Sequence, residues 1–150
     1  MCDDDRPEPQ PTRRELLGAA AGLVVVGCSK TTPKWEATDV PANDGIVELN
    51  IPDYPELVTP GNMIAVRPEG TRETVLIMRL EDNQFRVLSM KCPHLGCTVR
   101  WDNEEQRLRC PCHGSRFDDE GQVIEGPAKQ ALREFPSNAV GTMLQFSVKS

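Results

Sequence analysis

The 150-residue sequence predicts a mainly β domain, and three observations carry that expectation. From residue 46 onward, short runs of β-branched and apolar residues alternate with turn signals. After residue 30, no stretch repeats its apolar residues with the 3.6-residue period of a helix. Glycine and proline are frequent, 11 and 13 residues, which suits a small domain rich in loops. Hydrophobic residues make up 38% and aromatic residues 5%, so the core must lean on Val, Leu and Ile rather than on rings.

The elements follow in order. Residues 46–51 read as a strand, and residues 62–67 as another after the turn Thr59-Pro60-Gly61. Residues 74–80 and 84–89, joined by Glu81-Asp82-Asn83, read as a hairpin. Residues 98–101 and 106–109, joined by residues 102–105, read as a second. Residues 116–118 and 122–124 flank Asp119-Glu120-Gly121, and two late runs, 131–135 and 143–148, close the domain. A cysteine- and histidine-bearing loop follows the return strand of each hairpin. Both loops therefore lie at a hairpin's open end, where they can meet at one tip.

The formal charge is −6, and residues 28–150 hold 18 acids against 14 bases. Nucleic-acid binding would need clustered basic charge, so no nucleic-acid partner is expected.

The first 27 residues read as a leader. Arg13-Arg14 precedes a twelve-residue apolar run, residues 16–27. A membrane-spanning helix needs about 20 apolar residues, whereas the observed length suits a signal-peptide core. The segment around Arg13-Arg14 resembles a twin-arginine export signal. Val25-Val26-Gly27-Cys28 resembles a bacterial lipobox, which makes Cys28 a candidate for lipidation. Residues 28–45 are polar, contain Pro33 and Pro41, and read as a flexible linker. Residues 46–150 are the expected domain, with its site at about residues 90–128. No internal repeat is present.

Four of the six cysteines and both histidines fall within residues 92–113. They form Cys92-Pro93-His94-Leu95-Gly96-Cys97 and, after His94 and fifteen intervening residues, Cys110-Pro111-Cys112-His113-Gly114-Ser115. Each loop offers a thiolate and an imidazole. Two Cys and two His suit either a tetrahedral zinc ion or a [2Fe–2S] cluster with mixed ligands. Spacing alone does not separate them, but three features favour the cluster. Cys97 and Cys112 are surplus to a four-ligand zinc site, and a bond between them would clamp the loops together. Gly96, Gly114 and the prolines favour tight loops whose N–H groups point inward, where sulfur-rich centres need donors. Ser115 adds a hydroxyl donor.

The two boxes resemble those of the Rieske [2Fe–2S] protein family, and Gly126-Pro127-Ala128 resembles that family's proline loop. The resemblance covers roughly residues 60–150. It implies an antiparallel β-sandwich or barrel with a small cluster-binding subdomain made of two loops. It implies one [2Fe–2S] cluster, one iron held by Cys92 and Cys110 and the other by His94 and His113. It implies a Cys97–Cys112 disulfide, as in the high-potential branch, and a sulfur hydrogen bond from Ser115. In quinol-oxidising members the histidine matching His113 faces quinol, which makes His113 the expected quinol contact. Phe117 stands where many high-potential members have Tyr, so a lower potential, suited to menaquinol, is expected.

The leading expectation is thus electron transfer, as the iron–sulfur subunit of a quinol:cytochrome c oxidoreductase of bc type, with quinol and a cytochrome as partners. Two alternatives are the small subunit of a periplasmic molybdoenzyme such as arsenite oxidase, partnered by its large subunit, and a stand-alone periplasmic carrier. A Rieske oxygenase would need two further His, and this chain has none left. The expected location is the periplasmic side of a bacterial inner membrane, by a signal anchor or lipid attachment.

Overall fold

The computed structural model describes residues 36–149. The leader and Cys28 lie outside the described residues. Eleven strands form three sheets: β1 (Thr38–Val40), β2 (Ile46–Asn50), β3 (Met63–Pro68), β4 (Val75–Arg79), β5 (Phe85–Ser89), β6 (Arg100–Asp102), β7 (Arg107–Arg109), β8 (Arg116–Phe117), β9 (Val123–Glu125), β10 (Ser137–Val140) and β11 (Met143–Ser147). Two short 3₁₀ turns, Ile51–Asp53 and Pro55–Val58, lie between β2 and β3.

The central sheet has the order β1-β3-β4-β5, the second β10-β11-β2 and the third β6-β7-β8-β9. All pairings are antiparallel except β1 with β3. The central sheet is buried on both faces. Val75 and Ile77 of β4 join one apolar core with Val47, Leu49, Leu144 and Phe146 of the second sheet. Their neighbours Leu76 and Met78 join another core with Leu108 and Phe117 of the third. This explains why β4 reads Val-Leu-Ile-Met without alternation: a strand covered on both sides needs apolar residues at every position. β2 and β11, with one face in solvent, alternate cleanly.

The β4–β5 turn shows how local chemistry sets register. Asp82 and Asn83 both have positive φ, 52° and 58°, and the Gln84 N–H donates to the Glu81 carbonyl at 3.0 Å. This is a type I′ geometry, whose twist matches that of the strands it joins.

The structure departs from expectation at two places. Residues 131–135 form no strand. They run beside β5 through the single bridge Leu88–Glu134, with Ser89 and Phe135 N–H groups bonded across, and Pro136 then interrupts the ladder for want of an N–H. The late strand is instead β10, paired with β11. Thr38–Val40 lies within the stretch expected to be a linker, yet it forms β1, with Val40 fully buried.

Candidate metal centre

Two loops of near-identical backbone build the site. In the first, the Cys92 N–H donates to the Cys97 carbonyl and the Gly96 N–H to the Cys92 carbonyl, both at 2.8 Å. In the second, Cys110 donates to Ser115 at 2.8 Å and Gly114 to Cys110 at 3.0 Å. Gly96 and Gly114 both have φ of 78°, a left-handed turn that costs other residues about 1–2 kcal/mol. The glycine shared by both hexapeptides, Cys-Pro-x-x-Gly-x, is therefore what the turn geometry requires.

The loops converge. Cys97 and Cys112 form a disulfide with a Cα–Cα distance of 6.5 Å, the bond the family resemblance implied. The His94 and His113 rings meet edge to face, their centroids 4.8 Å apart. Both histidines are exposed, whereas the free thiols of Cys92 and Cys110 are each 1% exposed. The sulfurs of Cys97, Cys110 and Cys112 also cluster within 4.8 Å, but two of them are consumed by the disulfide. The donors left are two buried thiols and two exposed imidazoles.

Burial pushes the Cys92 thiol pKa up. The His94 N–H pulls it down, the adjacent Cys110 thiol raises it, and the Ser115 hydroxyl lowers it. A thiolate pair in this pocket therefore requires a positive counter-charge. Donors aimed at sulfur, together with a soft ligand pair, fit an iron–sulfur centre. Ser115, fully buried, has a second partner: its oxygen accepts the Ala128 N–H at 3.0 Å. That contact ties the residue 126–128 loop, which contains a cis Gly126–Pro127 peptide, to the second cysteine loop. Nothing local in the sequence singles out the Ala128 N–H. Leu95, 68% exposed between His94 and Gly96, puts an apolar side chain at the tip. A groove of about 460 Å³ runs beside the first loop, lined among others by Glu73, Lys91, His94, Gln130 and Arg133.

Paired loops at one end of a three-sheet β domain, offering two thiols and two imidazoles, define an iron–sulfur protein with mixed ligation. The Rieske [2Fe-2S] domain model matches residues 52–136, and the chain belongs to the Rieske family. Its cofactor is one Rieske-type [2Fe–2S] cluster, and its function is electron transfer. The chain is 32% identical over 145 residues to cytochrome b6-f complex iron-sulfur subunit 2 of Trichormus variabilis, covering 83% of this chain and 78% of that protein. It is 33% identical over 143 residues to iron-sulfur subunit 1 of the same complex in Synechocystis sp., again covering 83% and 78%. The fold also matches naphthalene 1,2-dioxygenase with indole bound in its active site, with a TM-score of 0.54 and 17% identity over 69% of this chain and 26% of that one.

Proposed function

We propose that the chain is the iron–sulfur subunit of a quinol-oxidising complex of cytochrome bc type, passing electrons singly from quinol to a cytochrome. The observation that carries this is the pair of exposed imidazoles meeting at the tip of a site whose thiols are buried. The two cytochrome b6-f relatives, aligned over most of the chain, support the same assignment.

The cluster, when bound, supplies a one-electron couple. Cys92 and Cys110 would hold one iron in the apolar interior, and His94 and His113 the other at the surface. With one ring nitrogen on metal, the other nitrogen of His113 is free to accept a proton from quinol. Leu95 offers an apolar contact beside it. The disulfide keeps the two loops together, and Ser115 donates to sulfur while holding the 126–128 loop.

Residues 1–27 act in this reading as an export leader, with residues from Cys28 linking membrane to domain. Among the described residues no helix is long and apolar enough to cross a membrane. Lipidation at Cys28 would supply attachment on the periplasmic side. The Phe117 side chain, standing where many high-potential members have Tyr, is the feature that favours the molybdoenzyme small subunit as a second reading, since the resemblance gives that subunit Phe at this position.

Purification of the tagged full-length chain from native membranes tests both. Haem-bearing b- and c-type subunits should accompany it, and quinol should generate the rhombic EPR signal of a reduced [2Fe–2S] centre. A molybdenum-containing partner in their place would replace the bc-type reading with the second one.

A further inference from the structure

The β6–β9 sheet has two unlike faces. Trp101, Leu108, Phe117 and Val123 oppose one another across the strands and face the core. The alternate residues face outward. Register sets Arg100 opposite Arg109, Arg109 opposite Arg116, and Arg116 opposite Glu125. Three arginines thus stand side by side on adjacent strands, which lie about 4.8 Å apart.

Like charges placed directly opposite each other destabilise a sheet. Arg116 is relieved by Glu105 at 3.5 Å and Glu125 at 3.1 Å, and Arg107 by Glu105 at 3.6 Å. Among the described residues, the side chains of Arg100 and Arg109 have no hydrogen bond or close ion pair, and both residues are exposed. Asp102 senses the charge of Arg109, but its carboxylate is engaged by the Glu104 and Glu105 N–H groups at 3.0 and 3.1 Å. The row also sits beside the site. Arg109 immediately precedes Cys110, and Arg100 is three residues beyond Cys97. The chain as a whole carries −6, so the adjacent, unpaired Arg100 and Arg109 side chains make a local spot of opposite sign to the molecule.

We propose that the Arg100–Arg109–Arg116 row is the docking face for an acidic protein that accepts the electron. This rests on the electron-transfer reading above. The face collects an acidic surface over a distance comparable with the screening length, about 8–10 Å at physiological salt. It also delivers that surface next to the cluster loops. Interspersed Asp102, Glu105 and Glu125 give the face a fixed charge pattern, which orients a protein of complementary pattern, whereas a uniform layer of anionic headgroups would meet those carboxylates as well as the arginines. One electron would pass from the reduced centre to the partner's ferric haem, which becomes ferrous, and the proton held on His113 would leave to solvent.

The test uses the full-length holoprotein, chemically reduced, in stopped-flow oxidation by a basic c-type cytochrome and by the same cytochrome made acidic through succinylation of its lysines. At low ionic strength, Arg100→Gln/Arg109→Gln should slow oxidation by the acidic cytochrome about tenfold, within the range of electrostatic steering. It should not slow oxidation by the basic one. Arg100→Lys/Arg109→Lys should keep the wild-type rate within about twofold, and high salt should erase the difference. An unchanged rate with the acidic cytochrome would overturn the proposal. So would an equal loss with both oxidants, which would place the effect in the centre itself. Loss of co-sedimentation with phosphatidylglycerol vesicles, with both cytochrome rates unchanged, would overturn it in favour of lipid headgroups. A wild-type protein that shows the cluster's EPR signal yet reduces neither cytochrome nor ferricyanide would sink the electron-transfer reading, and the proposal with it.

Discussion

Removing one oxygen from Ser115 should change both stability and potential, and the structure sets the size of each. The Ser115 hydroxyl accepts the Ala128 N–H at 3.0 Å and donates to the Cys92 sulfur. Ser115 is fully buried and Ala128 is 4% exposed, so water cannot replace the lost acceptor. In Ser115→Ala the orphaned N–H should cost about 1–3 kcal/mol. Chemical denaturation of the holoprotein measures that. The potential responds for a different reason. The reduced centre carries one more negative charge than the oxidised one, so a donor to its sulfur ligands favours reduction and its loss lowers the potential. A differential hydrogen bond of about 0.5–1.5 kcal/mol corresponds to roughly 20–60 mV, since about 59 mV is a tenfold change for one electron. An EPR-monitored redox titration of wild type and variant reads the shift. Ser115→Thr keeps the hydroxyl and should keep the potential, although its extra methyl in a filled core costs stability. If Ser115→Ala loses stability but not potential, the hydroxyl serves only the 126–128 loop and does not tune the centre. If neither changes, the hydrogen-bond pattern itself is wrong.

Three further perturbations have defined outcomes. Replacing Cys97 and Cys112 together by Ser removes a crosslink between positions 15 apart, worth about 3 kcal/mol, and visible absorbance should show the cluster lost at lower temperature. Gly114→Ala puts a methyl into open space, so only its φ of 78° opposes the change; urea unfolding should show a loss of about 1–2 kcal/mol, and a neutral result would mean the turn can relax. Phe117 is fully buried in the same apolar core as both thiols, so Phe117→Tyr should raise the potential by roughly 20–60 mV if the new hydroxyl reaches sulfur. An unchanged potential with the fold intact would remove the inference of a low-potential quinol such as menaquinol.

The sequence by itself determined what local chemistry determines. The two loops were legible because donor types, prolines and left-handed glycines must all sit within six consecutive residues. The two hairpins were legible because a period of two and a turn signal are short-range features, as at Asp82-Asn83. β10 was not legible. Its Ser-Asn-Ala-Val stretch has no strong apolar alternation, and its pairing with β11 is what makes it a strand. Residues 131–135 carried the stronger strand pattern, yet Leu132 and Phe135 are buried beside β5 in an irregular segment that Pro136 ends. β1 was hidden in a polar stretch because one buried residue, Val40, and a parallel neighbour suffice to hold it. The contact between Ser115 and Ala128 spans 13 residues, and the arginine row joins three strands by register. Only tertiary structure decided these features, because each depends on which distant backbone lies alongside, and no residue's own preference encodes that.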